Sequence, residues 1–162
     1  MVFSSLQFVF VFMPIFFICY YLAPNRYRNI VLLMGSLAFY FVGTINTPYH
    51  FILFISSILT DFSIGLYIEK YPKYKKAFLT IGIVFHVICL CIFKYTNFIL
   101  SELGKIYNGF NFFEEIILPI GISFYTFQGI SYIADVYKGK IQSEKSLLKF
   151  TVYISMFAQL IA

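Results

Sequence analysis

The chain has 162 residues, 60% of them apolar and only 12% charged, with a net charge of +5 and a mean hydropathy of +0.84. Soluble domains are about half apolar and about a quarter charged, so this balance excludes a water-soluble globular fold. The basic excess sits in loops between apolar runs, a mark of membrane topology that argues against a nucleic-acid partner.

A helical crossing takes about 20 apolar residues, so the chain has room for five or six crossings with short loops. The expected fold is an all-α, polytopic transmembrane helical bundle of about six segments, a single transmembrane region over residues 1–162 with no separate soluble domain. The apolar runs cover 2–22, 30–45, 49–68, 77–100, 116–136 and a last one starting near Leu147. The first lacks a basic start and a small-x-small cleavage site, so it reads as a retained crossing and not as a secretory signal. Cys19, Cys89 and Cys91 all fall inside apolar runs. There a thiol behaves as a small apolar group, so neither a disulfide nor a metal site is expected.

Basic residues alternate from loop to loop. The first loop carries Arg26 and Arg28, the second none, and the third Lys70, Lys73, Lys75 and Lys76. The fourth carries only Lys105, opposed by Glu102, Glu114 and Glu115, and the fifth carries Lys138, Lys140, Lys145 and Lys149. Lys and Arg near helix ends stay on the cytoplasmic side. Odd loops are therefore expected inside and the amino terminus outside, in a multi-pass protein of a plasma membrane.

Ionisable groups at membrane depth are costly and invite a functional question. Asp61 lies about eight residues, or ~12 Å, from the cytoplasmic end of its run, and His86 about ten residues, or ~15 Å, into the next. A short loop joins these runs, so they are antiparallel neighbours and the two side chains share a depth. One reading pairs Asp61 with His86 by a hydrogen bond. The other pairs Asp61 with a loop lysine and leaves His86 as a packing residue. Lys94 falls near the outer interface, where its long stem can snorkel. His50, the other histidine, is expected in an outer loop.

The fifth run is the richest in polar groups. Gly121, Tyr125, Gln128, Tyr132 and Asp135 recur at spacings of 4, 3, 4 and 3, which places them in one stripe about 80° wide on a helix. Such a stripe avoids lipid and faces either other helices or a water-filled cavity, and spacing alone leaves both open. Pro119 and Gly121 are expected to loosen the start of this helix, which is tolerated where protein or water satisfies the freed carbonyls. Glycine-rich phosphate loops, Cys/His metal spacings and nucleophile elbows are missing from the sequence.

Several motifs carry a family resemblance. They are residues 1–6 running into Pro14 and then Tyr20-Tyr21-Leu22-Ala23-Pro24; Arg28-Asn29-Ile30-Val31-Leu32-Leu33 with Ser36-Leu37-Ala38-Phe39-Tyr40; Asp61-Phe62 with Gly65; and Phe93-Lys94-Tyr95. The most specific is residues 118–128, Leu-Pro-Ile-Gly-Ile-Ser-Phe-Tyr-Thr-Phe-Gln, continuing through Asp135-Val136-Tyr137 and Gly139. Together they span nearly the whole chain and resemble the amino-terminal part of bacterial membrane-bound O-acyltransferases of the alginate O-acetyltransferase type. Residues 157–162 are similar to a family phrase that usually has proline where Ala158 stands and continues with Gly-Pro.

The resemblance implies a chain that is incomplete relative to the family fold, with the catalytic histidine beyond Ala162. No catalytic role passes to His50 or His86, neither of which has the context of the family histidine. For the whole protein it implies transfer of an acyl group, acetyl in this branch, from a cytoplasmic thioester donor or carrier to a hydroxyl of an exported polysaccharide. No bound cofactor or metal is implied. D-alanyl or other acyl transfer to a cell-wall polymer is the neighbouring alternative, and a transporter or non-enzymatic membrane subunit is the alternative from another class. Under the family reading, Tyr125, Gln128, Tyr132 and Asp135 line or brace a central cavity, and a chain on its own of this length is expected to be inactive.

Overall fold

The computed structural model describes residues 8–96, 98–99 and 116–156, and every regular element among them is helical. Pro14 lacks the N–H that would close an ordinary turn onto Phe10. The backbone ahead of it is wound as a π-turn, Phe8–Phe12, leading into α1, Met13–Leu22. Next come α2, Arg28–Gly43, and α3, Pro48–Lys70, which starts on a proline whose missing N–H costs nothing in a first turn. A 3₁₀ turn, Pro72–Tyr74, leads into α4, Lys75–Leu90, which continues through a second π-turn, Cys91–Tyr95. Helix α5 spans Ile122–Tyr137 and α6 spans Leu147–Ser155.

Two of these helical stretches, Pro48–Lys70 and Pro72–Tyr95, are long and apolar enough to cross a membrane, and Phe10–Leu22 and Arg28–Gly43 are shorter apolar helices. Together with the composition, they describe a membrane protein. Large apolar side chains such as Phe10, Ile18, Met34, Ile52 and Ile81 point outward, which suits a hydrocarbon solvent and not water.

The fifth run begins differently from expectation. Residues 116–119 are not helical, and the helix starts only at Ile122. Gly121 adopts φ 70° at the N-cap, a left-handed backbone that favours glycine, and Ile122 N–H closes a turn onto the Pro119 carbonyl. Pro119 and Gly121 therefore precede the helix instead of loosening it, and Gly121 drops out of the stripe. At its far end α5 stops in a Schellman cap. Lys140 N–H donates to Asp135 O and Gly139 N–H to Val136 O, both at 3.0 Å, with Gly139 at φ 71°.

Helices α3, α4 and α5 form the packed centre. Helix α2 packs on α6 and α1, and an aromatic ladder of Phe8, Phe12, Phe16 and Phe39 joins α1 to α2. Loop contacts among the described residues occur at two ends. At one, Glu69 accepts hydrogen bonds from the Ser143 hydroxyl and the Lys145 ammonium, and Lys75 sits 5.0 Å above the Tyr137 ring. The third and fifth loops thus share an end, as the alternation of charge requires. At the other end Gly43 presses against Ile120.

Candidate functional site

The three central helices meet without room to spare because each supplies a glycine one turn from a larger residue. On α3 these are Asp61 and Gly65; on α4, Gly82 and His86; on α5, Gly129 with Tyr132 and Ile133. A Cβ at Gly65 would lie 2.6 Å from the Tyr132 hydroxyl oxygen, and one at Gly82 would lie 2.5 Å from Ile133 Cδ1. At Gly129 it would fall 2.1 Å from Asp61 Oδ2 and 3.0 Å from His86 Nε2. Small residues at such contacts let backbones approach closely, which is how helices associate in a medium that gives no hydrophobic drive.

Asp61 and His86 meet in this packed centre. The His86 Nε2–H donates to Asp61 Oδ1 at 2.7 Å, and each side chain is 1% exposed. The pairing with a loop lysine is not what the structure has. Asp61 Oδ2 faces the Gly129 backbone and has no hydrogen-bond partner among the described residues. Of the residues of α4, only Gly82 and His86 are fully buried, with Phe78, Leu79, Ile83 and Leu90 packed half-buried beside them and Ile81, Val84, Val87 and Ile88 turned outward.

The polar stripe of α5 divides between two settings. Tyr125 and Tyr132 are buried. Tyr125 meets Phe54 edge-on with ring centroids 5.1 Å apart, and Tyr40 stacks on the same Phe54 ring at 4.2 Å. The Tyr132 hydroxyl accepts from Glu144 N–H at 3.1 Å, which ties α5 to the fifth loop. Gln128 is half-buried and its Nε2 donates to the Tyr153 carbonyl of α6 at 2.9 Å. Asp135 is partly exposed and lies 3.6 Å from the Lys140 ammonium. Tyr132 and Asp135, with Gln142, Glu144, Lys149 and Tyr153, border a cleft of about 480 Å³ at the loop end of α5 and α6. Gln128 and Tyr125 are not among its walls.

One other sequence reading changes place. His50 is not in a loop; it stands in the first turn of α3, buried, and its Nδ1 shares a 2.8 Å hydrogen bond with the Thr47 hydroxyl. Lys94 is exposed and its ammonium reaches Ser123 Oγ at 3.4 Å, at the start of α5. The three cysteines are free thiols. No group of three or more His, Cys, Asp or Glu that could hold a metal occurs among the described residues.

Sequence reasoning missed Gly129 and the Glu69–Ser143–Lys145 cluster. A signal for the first existed, since a glycine inside a helix costs about 1 kcal/mol against alanine and so asks for a close neighbour. The second joins residues more than seventy positions apart, and no local pattern announces it.

Comparison with known proteins places this arrangement. No family model matches the chain, and no solved structure does. Curated sequences do. The "probable alginate O-acetylase" of Pseudomonas aeruginosa is 39% identical over 169 residues, covering 100% of this chain and 32% of that protein. Its counterpart in Azotobacter vinelandii is 40% identical over 175 residues, covering 100% of this chain and 33% of that protein. A peptidoglycan O-acetyltransferase of Helicobacter pylori is 30% identical over 145 residues, covering 85% of this chain and 27% of that protein. The chain spans about a third of the length of the alginate O-acetylases it matches. With helices built for lipid and an identity that runs from end to end, the chain belongs to the membrane-bound O-acyltransferase family, in its alginate O-acetylase branch.

Proposed function

We propose that this chain serves an enzyme that transfers an acyl group, acetyl by the names of its relatives, from a cytoplasmic thioester to a hydroxyl of an exported polysaccharide. The observation that carries the reading is the match of the whole chain to alginate O-acetylases at 36–40% identity. In this reaction the polymer hydroxyl oxygen attacks the thioester carbonyl, the new C–O ester bond forms, the C–S bond breaks and the thiol departs. An imidazole that takes the hydroxyl proton during attack lowers the barrier. That base is sought outside this chain, because neither His50 nor His86 matches the context of the family histidine.

Within the reading, the chain supplies scaffold and part of a cavity wall, with Tyr125, Gln128, Tyr132 and Asp135 as the residues that line or brace it. The third and fifth loops, with eight lysines between them, face the cytoplasm where the donor resides, and the protein sits in the bacterial inner membrane. The relative named for peptidoglycan supports a second acceptor class, a wall polymer.

The test is complementation. The full-length gene containing this chain is expressed in a bacterium deleted for its own polysaccharide O-acetylase, and ester-linked acetate is released from purified exopolymer by mild alkali. Restored acetate is the expected result. Wild-type protein in the membrane with no acetate on either exopolysaccharide or peptidoglycan would overturn the reading.

A further inference from the structure

The pair Asp61–His86 buries a carboxyl and an imidazole against each other among the described residues. Buried polar pairs of this kind are a weak source of stability, because an apolar pair of similar volume packs as well without desolvating polar groups. An intramembrane acid is therefore kept for what it does. Its surroundings indicate the task. Asp61 comes from α3, His86 from α4, and both touch Gly129 on α5, so one hydrogen bond sits where all three helices converge. One turn further along α5, Tyr132 fills the gap left by Gly65 on α3 and takes a hydrogen bond from the fifth loop. One turn in the other direction lie Tyr125 and Thr126, both buried. The polar stripe of α5 thus has its rotation and depth set by contacts centred on the pair.

We propose that Asp61 and His86 form a positioning dyad for acyl transfer, which fixes α5 through Gly129 and so holds Tyr125, Gln128 and Tyr132 in register with the rest of the enzyme. The dyad touches no substrate and takes no proton in the reaction. Its effect is directional. A hydrogen bond fixes the mutual rotation of α3 and α4, and the carboxylate against the Gly129 backbone fixes how near α5 can come. Two leucines would fill the same space and set neither. The proposal rests on the acyltransfer reading above.

The experiment uses the full-length protein, with polymer-bound acetate in cells and the thermal unfolding midpoint in detergent measured on the same variants. Asp61→Leu/His86→Leu is expected to accumulate with a midpoint near that of wild type, while transfer falls by about tenfold to a hundredfold, the scale of loss from a small misplacement of reacting groups. Asp61→Asn keeps an oxygen that accepts from His86 and is expected to retain transfer within about threefold, a loss below 1 kcal/mol in barrier. Gly129→Ala removes no charge and pushes on Asp61 and His86 together; it too is expected to lower transfer by about tenfold or more while still accumulating. Wild-type transfer by the leucine pair, or by Gly129→Ala should the leucine pair fail to accumulate, overturns the dyad. Loss of transfer in Asp61→Asn as deep as in the leucine pair also overturns it, since charge and not position would then be what matters. Wild-type protein that leaves polymer unacetylated instead overturns the acyltransfer reading, an outcome that precedes any comparison of variants.

Discussion

At the scale of single residues, the tightest constraint on the three-helix centre is the absence of side chains at three positions. Gly65, Gly82 and Gly129 each receive a bulky neighbour from another helix, and the neighbour has little freedom to withdraw. Tyr132 shows why. Its ring packs at a tilt against Phe150 with centroids 4.6 Å apart, and its hydroxyl is held by Glu144 N–H. Gly65→Ala therefore forces a ring that is pinned on two sides, and should destabilise the protein by about 1–3 kcal/mol, the usual cost of overpacking. Tyr132→Phe removes the atom nearest the new methyl and loses one hydrogen bond, for about 1 kcal/mol by itself. The double variant should be less destabilised than the sum of the two, by more than the ~0.5 kcal/mol within which independent sites add. A double-mutant cycle on thermal midpoints in detergent checks this, and strict additivity would show that the close approach at Gly65 is not real. From sequence, Asp61 and His86 could be matched by depth alone, since two antiparallel runs joined by a short loop bring equal depths together. Gly129 could not be placed in the same way, because which face of α5 meets the pair is decided by packing among three helices.

At the scale of elements, α5 is the helix whose extent and neighbours carry the most information. Its far end was legible in sequence, where the fifth apolar run gives way to Lys138 and Gly139, and glycine just past a helix is the ordinary stop. Its near end was not. The apolar run begins six residues before the helix does, since hydropathy reports solvent and says nothing of backbone conformation. The turn at Pro119–Gly121 decides the matter. A non-helical stretch beside apolar helices needs its carbonyls and N–H groups satisfied by protein or by water in a cavity, which suits a wall and not a lipid-facing surface. The stripe that sequence drew as one line also proved to have two destinations, with Tyr125 and Tyr132 turned into the three-helix centre and Gln128 and Asp135 toward α6 and its loop. Gln128 is the tie between α5 and α6. Gln128→Leu in the full-length protein is expected to leave membrane insertion intact and to lower polymer acetylation, and unchanged acetylation with normal protein levels would remove Gln128 from the wall. At the other end of the same connection, Ser146 caps α6 by accepting from Lys149 N–H. Ser146→Ala should cost about 1 kcal/mol, visible as a lower midpoint of unfolding.

At the scale of the whole molecule, alternation of loop charge was the most informative pattern in the sequence, and among the described residues the third and fifth loops meet at one end. A topology follows that can be measured. With Cys19, Cys89 and Cys91 replaced, a cysteine at Ile45, which is exposed in the turn after α2, should react with a membrane-impermeant maleimide in intact cells. Cysteines at Lys73 and Lys140 should react only after permeabilisation. The opposite pattern reverses the orientation without touching the fold. Helix α4 brings a further consequence. Most of its surface is as oily as the lipid around it, so the bilayer has no preference for one rotation of this helix over another. Turning it by a single residue swings His86 through 100°, out of reach of Asp61 and into hydrocarbon. The histidine thus acts as a key that admits α4 at one angular setting. Both halves of the lock, α3 and α4, emerge from the ribosome before α5, so this hairpin can choose its setting early and present a finished notch. Helix α5 then closes over it with the only residue that has nothing to insert.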